Sequence, residues 1–188
     1  MDLVPYLYKL LPKLADTGST VSLEGTYELD RFDKGVRSFS LKEGIAFTLD
    51  FTNTGGAVLI MGSVQAHVSA ECDRCLEPAS QMVIGEVEGY AVFSESALDE
   101  QAQADEYLCA RGTEGIIDLA PLLFSALILA LPVIFLCSED CAGICATCGA
   151  HLNKETCECA TIQHEEDHVG EADEPDENHP FAALKNLL

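Results

Sequence analysis

The chain has 188 residues, 48% of them apolar, and carries 32 acidic against ten basic side chains for a formal net charge of -22. That balance excludes non-specific attachment to phosphate backbones, which runs on Lys/Arg and counterion release. It leaves a basic protein partner or plain solubility as its meaning. Tryptophan is absent and aromatics are 7%, so aliphatic side chains must fill the core. The length suits one domain with a small appended module.

Residues 3–14 set Leu3, Leu7, Leu10, Leu11 and Leu14 on one helical face, which predicts a short amphipathic helix docked on the domain and ended by Gly18. Asp2 stands where an export signal has its positive region, and Pro5 and Pro12 interrupt the apolar stretch, so no export signal is expected. From residue 21 to 93 the pattern changes to strands. VSLEGTYEL alternates, and IAFTLDF places Ile45, Phe47, Leu49 and Phe51 on one face. Asn53-Thr54-Gly55-Gly56 signals a hairpin turn, and residues 57–70 read as a long strand with Gly62 as a bulge. CDRC follows at a turn, then a return strand. The expectation is an antiparallel meander of four or five strands. His67 falls mid-strand and reads as an ordinary surface or packed histidine.

Residues 94–113 are polar and acidic and read as a loop with one helical turn, carrying Cys109 as a structural or surface thiol. Residues 119–136 carry no charge, which meets the length threshold for a membrane candidate. Asp118 suits a helix cap, Pro121 the first turn, and Pro132 should end the helix near Ala130. About twelve helical residues would then remain, roughly 18 Å against a hydrocarbon core of ~30 Å. No Lys/Arg cluster flanks the stretch. A core helix packed on the sheet is expected, with a membrane segment as the alternative. Residues 161–180 hold eight acids and no Lys or Arg, which predicts a disordered acidic tail. His164, His168 and His179 lie there, and the closing FAALKNLL suits a short docking turn.

The chemistry concentrates in the cysteines. Without an export signal they belong to a reducing compartment, where dense cysteine means metal or catalysis more often than disulfides. Eight of the nine divide into two sets of four, the ligand count of a closed structural zinc site. Cys145-Ala-Thr-Cys148-Gly149 is a knuckle, with Gly149 free to turn, and Cys157-Glu-Cys159 completes a compact set. Cys72 and Cys75 then take Cys137 and Cys141, which would staple a hairpin tip to the end of the core helix. The six C-terminal cysteines also admit other divisions, and iron or an iron–sulfur cluster uses the same ligands. All-cysteine sites leave no open position for substrate water. No Gly-rich phosphate loop, nucleophile elbow or paired His/Glu motif accompanies them, so no enzyme and no small-molecule substrate are expected.

ECDRCLEP, then IIDLAPLL and LALP, then LCSEDCAGICATCGAHLN with a later CEC, resemble the YceD family of large ribosomal RNA subunit accumulation proteins. The resemblance runs from about Leu3 to the terminal FAALKNLL. It implies a cytoplasmic factor, or a plastid one in plants, needed for normal accumulation of large-subunit ribosomal RNA. It also implies genes that tend to neighbour that of a zinc-ribbon ribosomal protein, and it supplies no catalytic residues. Two departures stand out. Phe124-Ser125-Ala126 replaces charged residues usual on the helix before LALP, and His151 stands where the family often has asparagine.

Together these readings predict an α+β fold: an antiparallel β-meander or partly closed sheet with a packed apolar helix and a C-terminal cysteine-rich zinc module. Residues 1–136 form the β domain with its N-terminal and core helices, 137–160 the zinc-knuckle module, and 161–188 the acidic tail with a short terminal helix. Two structural zinc ions are expected, with iron as the alternative, on Cys72, Cys75, Cys137, Cys141, Cys145, Cys148, Cys157 and Cys159. The expected partner is a basic ribosomal protein or a pre-ribosomal particle, with rRNA met indirectly and no membrane. A local basic patch around Arg31, Lys34, Arg37 and Lys42 is the weaker route to RNA. The rival class is a redox or metal-handling protein.

Overall fold

Strands β5 (Ile45–Asn53) and β6 (Val58–Glu71) show why this sequence forms a sheet. In β5, Ile45, Phe47, Leu49 and Phe51 are buried while Thr48 and Asp50 are exposed, the period-2 pattern of a strand with one covered face. Asn53 and Thr54 close the turn between them: the Thr54 amide donates to the Ala57 carbonyl at 2.9 Å, and the Asn53 carboxamide accepts from the Gly55 amide at 2.8 Å. A computed structural model of the chain describes residues 3–10, 14, 16–92, 108–113 and 115–159, and of residues 92 and 108–113 the backbone alone. It divides into two compact units, Met1–Asp140 and Cys141–Leu188.

Among the described residues the first unit is a mostly antiparallel sheet with one helix, an α+β arrangement. Its strands, among the described residues, are β1 (Leu7–Lys9), β2 (Thr20–Tyr27), β3 (Arg31–Lys34), β4 (Arg37–Leu41), β5, β6, β7 (Pro78–Val92), β8 (Leu108–Thr113) and β9 (Ile116–Asp118). The helix α1 spans Ala120–Ala130. The spine is β6 against β7, paired without interruption from Val58↔Ala91 to Glu71↔Pro78. On its other edge β6 serves two partners: β5 along residues 58–65, then β4 at Val68 and Ser69. β2 continues the β5 side and β3 the β4 side, while β8, β9 and β1 extend the sheet beyond β7. β7 and β8 run parallel.

Several expectations need correction. No helix covers residues 7–9: Leu7, Tyr8 and Lys9 pair with Asp118, Ile117 and Ile116. Pro5 removes a helical donor, and the β9 edge offers partners that an isolated turn cannot match. Leu10 is buried and Leu7 lies exposed, so the leucine face is not used as one face. Gly62 is no bulge, because the ladders on both sides keep register through it. A Cβ at Gly62 would instead run into the Thr48 carbonyl of β5, so the strand backbones approach too closely for a side chain. Between residues 21 and 93 the four or five strands expected are six among the described residues, β2 to β7, because the short β3 and β4 do not stand out from the turns around them. Residues 108–113, read as loop, are β8, recruited by pairing with β7. The acidic tail expected at 161–188, with its short terminal helix and His164, His168 and His179, falls outside the described residues.

α1 starts where Asp118 ends β9. The Asp118 carboxylate accepts from the Ala120 amide at 3.0 Å and from the Tyr6 amide at 2.9 Å, joining helix start to N-terminal segment. Leu119, Ala120, Leu122, Leu123, Ala126 and Leu127 are buried. The helix stops before Pro132, and Leu131 is already extended at φ -63°, ψ 132°. It passes close over β7, where a Cβ on Gly85 would stand 3.0 Å from Ala130 Cβ. Phe124 meets Phe32 of β3 edge-on at 5.4 Å, which gives the departure from the usual charged residue a local packing role. Among the described residues no helix is long and apolar enough to cross a membrane.

Candidate metal centres

The structure brings the eight cysteines into two groups, Cys72/Cys75/Cys137/Cys141 and Cys145/Cys148/Cys157/Cys159. Within each group all four sulfur atoms lie within 4.8 Å of one another. Cys109 lies in β8, and His67 is exposed in β6.

The two groups rest on the same backbone device. In Cys72-Asp-Arg-Cys-Leu-Glu77, the Cys72 amide donates to the Glu77 carbonyl and the Leu76 amide to the Cys72 carbonyl, each at 2.9 Å. In Cys145-Ala-Thr-Cys-Gly-Ala150, the Cys145 amide donates to the Ala150 carbonyl and the Gly149 amide to the Cys145 carbonyl, again at 2.9 Å. Such a turn needs its fifth residue left-handed. Gly149 sits at φ 76° and Leu76 at φ 61°. Glycine takes that conformation freely, whereas a residue with a Cβ is strained there by ~1–2 kcal/mol.

The turn aims amide donors at the first sulfur. Burial raises the Cys72 thiol, but hydrogen bonds from the backbone of Arg74, Cys137 and Cys75 outweigh it and bring the group down to about 6. Cys145 is lowered to about 6, chiefly by the backbone of Cys148 and then Thr147, with the Cys157 and Cys148 side chains adding. The neighbours respond in the opposite sense. Hydrogen bonding to Cys145 raises Cys157. Hydrogen bonding to Cys148, then burial and the negative charge of Cys148 and Cys145, push Cys159 up to about 12. Four thiols this close cannot all ionise unaided, because each thiolate disfavours the next. A divalent cation removes that conflict.

The donor set fits such an ion. Sulfurs held at a zinc–sulfur distance of ~2.3 Å in a tetrahedron stand ~3.8 Å apart. Cys75 Sγ and Cys137 Sγ are 3.6 Å apart. Amide donors on sulfur are the outer-shell support that thiolate sites use.

Asp73 holds the first group together and was not among the expected site residues. Its amide donates to the Phe135 carbonyl at 2.8 Å, and its carboxylate accepts from the Phe135 amide at 2.6 Å. This exchange lays 72–76 alongside the segment after α1 and sets Cys137, two residues beyond Phe135, against Cys75. The carboxylate also pairs with Arg37 of β4. Arg37 lies 5.7 Å over the Phe39 ring, and Phe39 in turn meets Phe135 at 5.9 Å. The expected basic patch is therefore partly committed to the fold: Arg37 to Asp73, Arg31 to Ser38 Oγ at 3.0 Å and Lys34 to the Ile128 carbonyl at 3.4 Å.

The second unit folds its chain around the other group. Ile144 and His151 form a bridge, the Leu152 amide donates to the Gly143 carbonyl at 2.9 Å, and Asn153 accepts from the Ala142 amide at 2.7 Å. Asn153 also donates to Cys141 Sγ at 3.2 Å. The His151 amide donates to Glu155 at 3.0 Å, and the His151 ring is in neither sulfur group.

The family model described as large ribosomal RNA subunit accumulation protein YceD matches residues 60–188. The chain belongs to the YceD family. The YceD match begins inside β6, so both knuckles, Asp73 and α1 fall within it. Uncharacterized proteins of Mycobacterium bovis and Mycobacterium tuberculosis are each 32% identical over 123 residues, 64% of this chain and 58% of theirs. Another, of Mycobacterium leprae, is 26% identical over 154 residues, 79% of this chain and 68% of its own length. The matched stretch thus spans less than two thirds of the M. bovis and M. tuberculosis proteins. No solved structure matches the chain.

Proposed function

We propose that this YceD-family chain is a non-enzymatic cytoplasmic factor that supports large-subunit ribosomal RNA accumulation by binding a basic ribosomal protein or a pre-ribosomal particle. Two zinc ions serve as structural staples. Cys72, Cys75, Cys137 and Cys141 would hold one, and Cys145, Cys148, Cys157 and Cys159 the other. The observation that carries the reading is the pair of four-thiol groups, each set by one repeated turn, in a chain whose family is described by large ribosomal RNA accumulation. Four thiolates saturate zinc and leave no place for substrate, which favours a staple over a catalyst. The first set would fix the β6–β7 tip to the segment after the apolar helix, which in this reading is a packed core element. The net charge of -22 favours a basic protein over bare RNA as the direct partner.

The test is elemental analysis and absorbance of the untagged chain, followed by binding to purified large-subunit particles. Two zinc per chain, no visible colour and association through protein support the reading. Recovery of bare rRNA alone, in low salt, overturns the preferred partner. The second reading, redox or metal handling, draws on the exposure of Cys148 and the half-exposure of Cys145, Cys157 and Cys159. Iron with a visible spectrum, or loss of zinc in mild peroxide, favours it.

A further inference from the structure

Leu76 combines two unfavourable features. It sits left-handed at φ 61°, where its counterpart in the other knuckle is Gly149, and its side chain is 62% exposed. A strained backbone that carries an apolar side chain into water gains nothing for the fold. Its neighbourhood is built alike. The exchange between Asp73 and Phe135 sets this knuckle beside residues 133–135, and Val133 and Ile134 are 97% and 55% exposed. Arg37, which pairs with Asp73, follows the fully exposed Val36 at the β3–β4 turn. Exposed acids flank the same segments: Glu71 before the knuckle, and Glu139 and Asp140 after Cys137. Arg74 is exposed in the knuckle as well, so the rim carries three acids to one base, and an apolar surface so rimmed is complementary to a basic segment with an apolar anchor rather than to phosphate.

We propose that Leu76, Val133 and Ile134, with Val36 at the margin and Glu71, Glu139 and Asp140 as rim, form the docking face for a basic segment of a ribosomal protein. This rests on the partner reading above and gives that partner its place on the first unit. The apolar side chains provide the anchor, and the carboxylates steer the approach and make binding salt-sensitive.

The experiment measures binding of the full zinc-loaded chain to the purified proteins of the large subunit, to bare rRNA and to itself, for wild type, L76G, L76N and V133S/I134S. Glycine and asparagine both accept the left-handed turn. L76G and L76N should therefore keep two metal ions and an undiminished Tm, while binding to one basic protein weakens about tenfold. V133S/I134S should weaken it similarly, and E139K/D140K should slow association and flatten its salt dependence. Wild-type chain that binds rRNA alone, or no ribosomal protein, sinks the partner reading itself. Wild-type binding that all three apolar variants leave unchanged overturns the docking face while leaving the partner reading intact. Self-association that L76G abolishes assigns the face to a second copy and overturns the proposal.

Discussion

The two knuckles share one turn and differ in what stands behind it. The first closes the tip of the longest hairpin in the described chain, with Phe135 and Phe39 packed nearby and Asp73 bonded to both the amide and the carbonyl of Phe135. Cys72 and Cys75 are buried. The second stands on a few backbone bonds and an Ile144–His151 bridge, and its sulfurs are half-buried or exposed. One device thus works as an added clamp on a formed core in one place and as the main source of order in the other. Sequence around the turn follows: a core can tolerate Leu76 in the strained position, whereas the unit without one has Gly149.

Metal removal should separate the two most strongly. Zinc sites in small peptides supply ~10–16 kcal/mol of folding free energy, comparable to or above a domain's whole stability of ~5–15 kcal/mol. A strong chelator should abolish hydrogen-exchange protection at residues 143–153 while protection along β5, β6 and β7 survives. Equal loss in both would break the contrast. Single replacements sharpen it: Cys148→Ser and Cys75→Ser should each lower metal content by one ion, with the sheet retained in both and Tm of the first unit lowered only by Cys75→Ser.

Asp73→Asn comes next in size. It removes the charge that pairs with Arg37 and weakens the bond to the Phe135 amide. Hydrogen bonds to charged groups are worth ~1.5–3 kcal/mol, and outer-shell changes cost about 10–100-fold in metal affinity. Competition with a chromophoric chelator should show faster loss from the first set only, and loss from both would contradict the placement.

Acid should act on both sets in one direction. Loading requires thiolates, so it releases protons and strengthens as pH rises. Cys145, lowered to about 6, is already ionised at neutral pH, while Cys159, pushed up to about 12, must give up its proton to a bound ion. Affinity of the second set should therefore fall as pH is lowered from 8 to 6, measured by metal release with a chelator. Affinity unchanged over that range would contradict it. The smallest effect is the swap at the turn. Leu76→Gly should leave Tm unchanged or slightly raised, and Gly149→Leu should destabilise by ~1–2 kcal/mol. A Cβ at Gly149 meets nothing within 4 Å, so that loss isolates the backbone term.

Much of the sheet was legible because long half-buried strands write their period plainly, as Ile45 to Phe51 do. The two Cys-x-x-Cys pairs were legible because a two-residue gap closes on one turn, whereas the division of the remaining cysteines stayed open until their sulfurs were placed in two groups. The rest depended on pairing, which one strand's residues do not encode. Leu7–Lys9 looks helical until Ile116–Asp118 is set beside it. Leu108–Thr113 lies in an acidic stretch and becomes a strand through β7. Asp73 hid inside a motif read for its cysteines, and its role appears only when Phe135, 62 residues away, is placed against it.

The bond from the Tyr6 amide to Asp118 spans 112 residues and has a consequence for synthesis. At about 5–20 residues per second, roughly 6–22 s separate translation of the two partners. During that interval Leu7–Lys9 has no β9 edge to join, and the segment is held only by nearer partners such as the Tyr27 hydroxyl, which donates to the Val4 carbonyl. Leu7–Lys9 thus gains its strand partner only after the β5–β6–β7 hairpins have been made. A nascent chain halted before Asp118 would hold the β5–β6–β7 hairpins with its N-terminal strand still open to proteases and chaperones.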